Sequence, residues 1–259
     1  MTGNGTILLT NDDGLGSRGL TALAVALTDT FGPRVVVVAP DSERSAVGCG
    51  VTLRRPVHVQ RTELPDLPGT PAYAVSGTPV DCVKLGVREL VPGPVALICS
   101  GVNHGANLGT DVFYSGTVSA AIEAILLGLP GLAVSVGPPG RQGFATASEI
   151  AVRLAGTILR QGLPERTLLN VNVPETARSA DLAGLRITRL GRRSYQNHYR
   201  RERVSDGQHL YELAGETLCD HDEAGTDIEA IRQGLVSITP LHLDLTNHAA
   251  LPAMKEWLR

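Results

Sequence analysis

The chain has 259 residues, of which 42% are hydrophobic and only 3% aromatic, and its net charge is −3. That length suits one large α/β domain with an appendage, and the near-neutral charge gives no global sign of a nucleic-acid or membrane binder. The core must be built from Val, Leu, Ile and Ala, which suits a buried parallel sheet covered by helices.

Met1 to Thr10 has no basic stretch followed by an apolar one, so no signal peptide is expected. Thr6–Thr10 (TILLT) reads as a strand, and Leu20–Phe31 repeats apolar residues at helical spacing. Val35–Ala39 (VVVVA) is a second, fully buried strand, and Tyr73–Ser76 a third. Asp81–Leu90 is helix-like and leads to a fourth strand at Val95–Cys99. Val118–Leu127 reads as helix, Gly131–Val136 as strand, Thr146–Gln161 as helix and Thr167–Val171 as strand. This alternation predicts an α/β fold: a doubly wound, mostly parallel sheet with right-handed crossovers.

The longest apolar stretch, Ala124–Val136, is too short for a bilayer and is broken by Gly and Pro. A cytoplasmic location follows by elimination, as an expectation. Cys49, Cys82, Cys99 and Cys219 form no CxxC, so a zinc cluster is not expected.

After Pro174 the pattern changes. Leu185–Leu190 and Leu235–Thr239 read as strands, and Arg203–Leu213 contains the hairpin-turn dipeptide Asp206-Gly207. The expected layout is a single domain over 1–259. Its core covers about 1–184, and a hairpin and C-terminal region over about 185–259 serves oligomerisation. A projecting β-hairpin of this kind is expected to join subunits.

In doubly wound sheets, ligands bind beyond the carboxyl ends of the strands. Three strands end there in polar clusters: Asn11-Asp12-Asp13-Gly14, Asp41-Ser42-Glu43-Arg44-Ser45 and Ser100-Gly101-Val102-Asn103-His104. Adjacent carboxylates repel each other and resist desolvation. A divalent cation with hard oxygen ligands, Mg²⁺, Mn²⁺ or Ca²⁺, removes both problems. Asp12 or Asp13 could instead simply cap the following helix.

Tyr114-Ser115-Gly116-Thr117-Val118 precedes a clear helix, so its N–H groups and hydroxyls are candidates for an anion. An ordinary Ser/Thr cap is the plainer alternative. Asn107 lies in the Gly- and Asn-rich loop just upstream.

Gly14, Gly16 and Gly19 also spell GxGxxG, and Asp41 stands where a ribose-binding acid belongs. An NAD(P)-dependent oxidoreductase is therefore the competing reading. Against it, Asp12 and Asp13 would set two negative charges beside a pyrophosphate. A nucleotide-binding regulator without turnover is a third reading. Neither a P-loop nor a GxSxG elbow occurs.

Arg186, Arg189, Arg192, Arg193, Arg200, Arg201 and Arg203 crowd one stretch. They read as a solvated hairpin face, with a funnel for anions as the lesser alternative. His104 reads as a bystander beside Asn103, and His242 and His248 have no partner identifiable in the sequence.

Taken together, these residues resemble the SurE family of nucleotidases along nearly the whole chain. The resemblance rests on ILLTNDDG (7–14), APDSERSAVG (39–48), GTPVDCV (77–83) and SGVNHGANLGTDVFYSGTVSAAIEA (100–124). It also rests on LNVNVP (169–174) and GTDIEAIRQGLVSITPLHLDLT (225–246). The resemblance implies a Rossmann-like, three-layer core and a phosphomonoesterase acting on 5′- and 3′-nucleoside monophosphates, with some members trimming short polyphosphate. It implies one Mg²⁺ or Mn²⁺ per subunit, held by Asp12, Asp13, Ser45 and Asn103. It also implies homodimers or homotetramers joined through a hairpin and an exchanged C-terminal segment. The family's usual Ala-Pro-Gly step after the first motif is here Ser17-Arg18-Gly19.

On that reading Asp12 and Asp13 serve catalysis as well as metal. Asn107, Ser115, Gly116 and Thr117 are expected to donate hydrogen bonds to the phosphate.

Overall fold

In a computed structural model, residues 5–137, 143–176, 178–205, 208–221 and 223–258 are described. The strands of the main sheet are β1 (Thr6–Thr10), β2 (Val35–Pro40), β3 (Val59–Leu64), β4 (Leu67–Val75), β5 (Val95–His104), β6 (Gly131–Val136), β7 (Leu168–Val173), β8 (Gly184–Ile187) and a last strand at Leu235–Leu241. Between β8 and that strand run the hairpin strands β9 (Arg192–Ser205) and β10 (Gln208–His221), so the last strand is β11. The spatial order is β3-β4-β2-β1-β5-β6-β7-β11-β8. Most neighbours are parallel; β3 against β4 and β7 against β11 are antiparallel. Strands such as Val35–Pro40 are buried along their whole length, which is why they carry unbroken apolar runs.

Helices cover both faces. α1 (Arg18–Phe31) and α4 (Phe144–Gln161) pack on the side of Ile7, Leu9 and Leu97. α2 (Pro79–Leu85) and α3 (Gly116–Leu126) belong to the side of Leu8, Val36 and Ile98. Alternate residues of β1 thus feed opposite cores, and the fold is the expected three-layer sandwich. A capping box starts α2: Thr78 Oγ1 accepts from the Asp81 N–H, and the Thr78 N–H donates to Asp81. Thr52 also donates to Asp81 through N–H (3.0 Å) and hydroxyl (2.5 Å), tying the 50s loop to this helix.

Differences from the sequence reading have local causes. The strand expected at Tyr73–Ser76 is β4, nine residues long from Leu67: Pro68, Gly69 and Pro71 read as loop, yet this stretch pairs with the antiparallel edge strand β3. β3 itself was not foreseen; its VQRTEL pattern is mostly exposed and polar. The Asp81–Leu90 helix ends at Leu85 and widens into a π turn over Gly86–Leu90.

The hairpin is longer than the Arg203–Leu213 segment suggested, with 14 residues in each strand. Ser205 pairs with Gln208, while Asp206 and Gly207 lie outside the described residues. The region after 184 is not all appendage: β8, β11 and α5 (Asp227–Arg232) pack on the main sheet. A short helix, α6 (Leu251–Glu256), follows β11. No helix among the described residues is long and apolar enough to cross a membrane.

Candidate metal and phosphate site

The loops at the carboxyl ends of β1, β2 and β5 meet the start of α3 and the base of the hairpin around a cleft of about 900 Å³. One part of its lining is Asp12, Asp13, Glu43, Ser45, Asn103 and His104. Another is Asn107, Asp111, Tyr114, Ser115, Arg193 and Tyr195. The polar clusters at three separate strand ends are therefore one site in space.

Asp12 is 5% exposed. Burial pushes its pKa up, and hydrogen bonds from the Thr117 hydroxyl and from the backbone of Thr117 and Gly116 oppose this. The hydroxyl contact, Thr117 Oγ1 to Asp12 Oδ1, is 2.5 Å. α3 can press this close because residue 116 is glycine. A Cβ there would lie 2.7 Å from the Cβ of Asp12. The anion at the N-terminus of α3 is thus Asp12 itself, a favourable place for a carboxylate. The Gly116 and Thr117 groups, expected at the phosphate, are turned to Asp12. Ser115 and Asn107 do face the cleft.

Asp13 is half-buried and takes a 3.2 Å hydrogen bond from the His104 N–H. Burial, and then the charge of Asp12, push its pKa up to about 6, with Glu43 adding and the His104 N–H opposing. β5 bulges between Ser100 and Asn103, which sets the Asn103 side chain at the cleft. Its amide nitrogen donates to Gly105 O at 2.7 Å, leaving the amide oxygen as an acceptor. Ser45 donates to Glu43 at 2.6 Å, which leaves its oxygen lone pairs available. The loop after β2 is pinned to the loop after β1 by the Arg44 N–H on Asp12 O, 2.7 Å.

Two carboxylates, a hydroxyl and an amide oxygen are hard donors, and the repulsion between Asp12 and Asp13 is what a cation relieves. Among the described residues no group of three or more His, Cys, Asp and Glu could hold a metal ion, so a cation here would draw on the hydroxyl and the amide oxygen as well as the carboxylates. The residues fit a divalent cation.

Asn107 is fixed by a buried polar knot. Its N–H donates to Asn172 (2.8 Å) and its amide to Ser135 (2.8 Å), while its carbonyl accepts from Asn170 (2.9 Å) and Asn172 (3.1 Å). The two asparagines of the LNVNVP stretch are fully buried for this purpose.

Tyr195 of the cleft carried no signal in the sequence, and Arg193 was only one member of the arginine row. The arginine row mostly pairs outward: Arg186 with Glu229, Arg189 with Glu223 and Arg200 with Glu212. Arg193 instead turns inward, its side chain 16% exposed, and meets Asp111 at 2.7 Å. Tyr195 donates to the same carboxylate at 2.5 Å. The solvated-face reading therefore fails for Arg193, because alternation along β9 was hidden by the run of like charges. His104 lends its backbone to Asp13, while its ring faces Phe144 at 6.2 Å. His242 and His248 do have partners: His242 Nδ1 accepts from the Asp244 N–H (3.0 Å), and His248 Nε2 lies 2.5 Å from Asp244 Oδ2.

The GxGxxG stretch is closed on itself. Asn11 Nδ2 donates to Gly14 O (3.0 Å) and to Ser17 Oγ (2.8 Å), and Ser17 caps α1. Gly19 lets α1 touch β5, since a Cβ there would lie 1.9 Å from Val102 O. Asp41 accepts from Ser42 and Arg44 of its own loop, at 2.9 and 3.0 Å.

Comparison with known proteins gives the family. The family model described as Survival protein SurE matches residues 7–197. A protein from Moorella thermoacetica named 5′-nucleotidase SurE is 49% identical over 243 residues, covering 94% of this chain and 92% of its own. One of the same name from Symbiobacterium thermophilum is 44% identical over 251 residues, covering 97% of each. A crystal structure of the SurE protein from Aquifex aeolicus superposes with a TM-score of 0.82 at 40% identity, covering 98% of this chain and all of that one. The chain belongs to the SurE family.

Proposed function

We propose that this protein is a 5′-nucleotidase that hydrolyses nucleoside monophosphates to nucleoside and phosphate with one Mg²⁺ or Mn²⁺ per subunit. The observation that carries the reading is the Asp12–Asp13 pair, which lines one cleft together with Ser45 and Asn103. The relatives' names point the same way. The cleft's volume lies within the roughly 300–1,000 Å³ usual for small-molecule sites.

Asp12, Asp13, Ser45 and Asn103 would hold the cation. When bound, it supplies positive charge against the phosphoryl oxygens and acidifies water. Asp12 is fixed by Thr117 and the start of α3, so its role is to hold. Asp13 is the more exposed of the two and takes the proton of the attacking water. Water oxygen bonds to phosphorus, the bond from phosphorus to the ribose oxygen breaks, and the proton passes to the leaving alkoxide. The hydroxyl of Ser115 and the amide of Asn107 donate to non-bridging oxygens. Asp111, Tyr114, Arg193 and Tyr195 are left to meet the nucleoside.

The hairpin and C-terminus expose Tyr199, Leu210, Tyr211, Trp257 and Leu258. Apolar area of that kind supports a homodimer or homotetramer. Asp12→Asn and Asn103→Ala should each lower phosphate release from a panel of nucleoside monophosphates roughly 100-fold or more. Circular dichroism should not change. Full activity in either variant would remove these residues from the site. The dehydrogenase reading would return if the purified chain released NADH absorbance on denaturation.

A further inference from the structure

Asp227 lies far from the strand ends in sequence, yet it is fully buried and its two oxygens accept three backbone N–H groups. Oδ2 takes Gly109 N–H at 2.8 Å; Oδ1 takes Gly191 N–H at 2.7 Å and Ile228 N–H at 2.9 Å. Gly109 begins the turn Gly109–Phe113, which brings Asp111 and then Tyr114 to the cleft. Gly191 immediately precedes β9, which brings Arg193 and Tyr195 there. The two segments also bond each other: Arg193 and Tyr195 to Asp111, and the Thr110 hydroxyl to Arg193 O at 3.0 Å. One carboxylate from the C-terminal segment therefore fixes the spacing of two loops that share a cleft wall.

The metal-side residues are held by other means. Asp12 is set by α3, Asp13 by the His104 N–H and Asn103 by Gly105 O. Ser115 is the N-cap of α3, whose start is pressed on Asp12.

We propose that Asp227 is a positioning residue for the nucleoside side of the cleft, separate from the metal and phosphate side. This rests on the nucleotidase reading above. An asparagine there keeps the shape but puts an N–H₂ group against N–H donors, so the two loops lose their common anchor.

The test compares wild type and Asp227→Asn with Mn²⁺ on two substrates, adenosine 5′-monophosphate and p-nitrophenyl phosphate, which has no nucleoside. Mn²⁺ affinity is measured separately by calorimetry on the nucleotide-free protein. Asp227→Asn should raise KM for the nucleotide about tenfold, with kcat within about threefold. KM for p-nitrophenyl phosphate and the Mn²⁺ Kd should each stay within about twofold. A parallel loss on both substrates, or weakened Mn²⁺ binding, would make Asp227 a general structural residue and overturn the proposal; so would no change at all. Should Asp227→Asn not fold, Thr110→Val, which cuts the hydroxyl bond between the same two segments, is read by the same criteria. A wild type that turns over neither substrate would instead overturn the nucleotidase reading, and the positioning role with it.

Discussion

Asp12 and Asp13 are neighbours in sequence but differ in environment. Asp12 is buried with its charge answered by Thr117 and the start of α3, whereas Asp13 faces the cleft with one backbone donor and two acidic neighbours. Its pKa rises from the ordinary 3.8 to about 6. A carboxyl that binds its proton more tightly when folded stabilises the fold at low pH. That contribution is lost as pH rises from about 4 through about 6. In the metal-free protein at pH 7 the ionised Asp13 is therefore a liability. At face value it costs about 3 kcal/mol, and about half that once its partial exposure to solvent is discounted. Asp13→Asn should raise the melting temperature in EDTA at pH 7, do much less at pH 4, and abolish the rise that Mn²⁺ gives the parent. A lower melting temperature in EDTA at pH 7 would contradict this account. The pair was legible in sequence because two like charges at a strand end ask for a counter-ion. What was not legible is where Gly116 and Thr117 point. Thr117 finds its partner Asp12 105 positions away, and the Arg193–Asp111 contact spans 82.

At the scale of elements, the buried strands were read from their apolar runs, and Gly131–Val136 matches residue for residue. The edge strand β3 escaped because an exposed edge has no apolar signature. The hairpin's length escaped because most of its described side chains are exposed, so no buried apolar row marks where its strands end. α3 is the element on which the site turns. Gly116→Ala should displace Asp12 and cut activity roughly 100-fold, while alanine's better helix propensity keeps the helix formed. Activity near the parent's would show that Asp12 and α3 need not touch. In α2, Asp81→Ala removes the capping box and both Thr52 contacts, and should destabilise the chain by about 2 kcal/mol in urea unfolding. A change under about 0.5 kcal/mol would mean that the 50s loop and α2 are held otherwise.

Across the whole molecule, the parallel order β4-β2-β1-β5-β6-β7 places the ends of β1, β2 and β5 side by side, and this alone gathers Asp12, Ser45 and Asn103. The hairpin base, anchored by Asp227 of α5, then closes the cleft from a segment that starts only at Arg192. Light scattering should give a dimer or tetramer, the assembly proposed from the exposed apolar residues of hairpin and C-terminus; a monomer would contradict that proposal. The central claim is that Asp12, Asp13, Ser45 and Asn103 hold a divalent cation on which hydrolysis depends. The most direct measurement is phosphate release from nucleoside monophosphates by purified protein, first treated with EDTA and then titrated with Mn²⁺. Release should vanish in EDTA and return in full with about one Mn²⁺ per subunit. Release that persists in EDTA, or none at any Mn²⁺ concentration, would contradict the account.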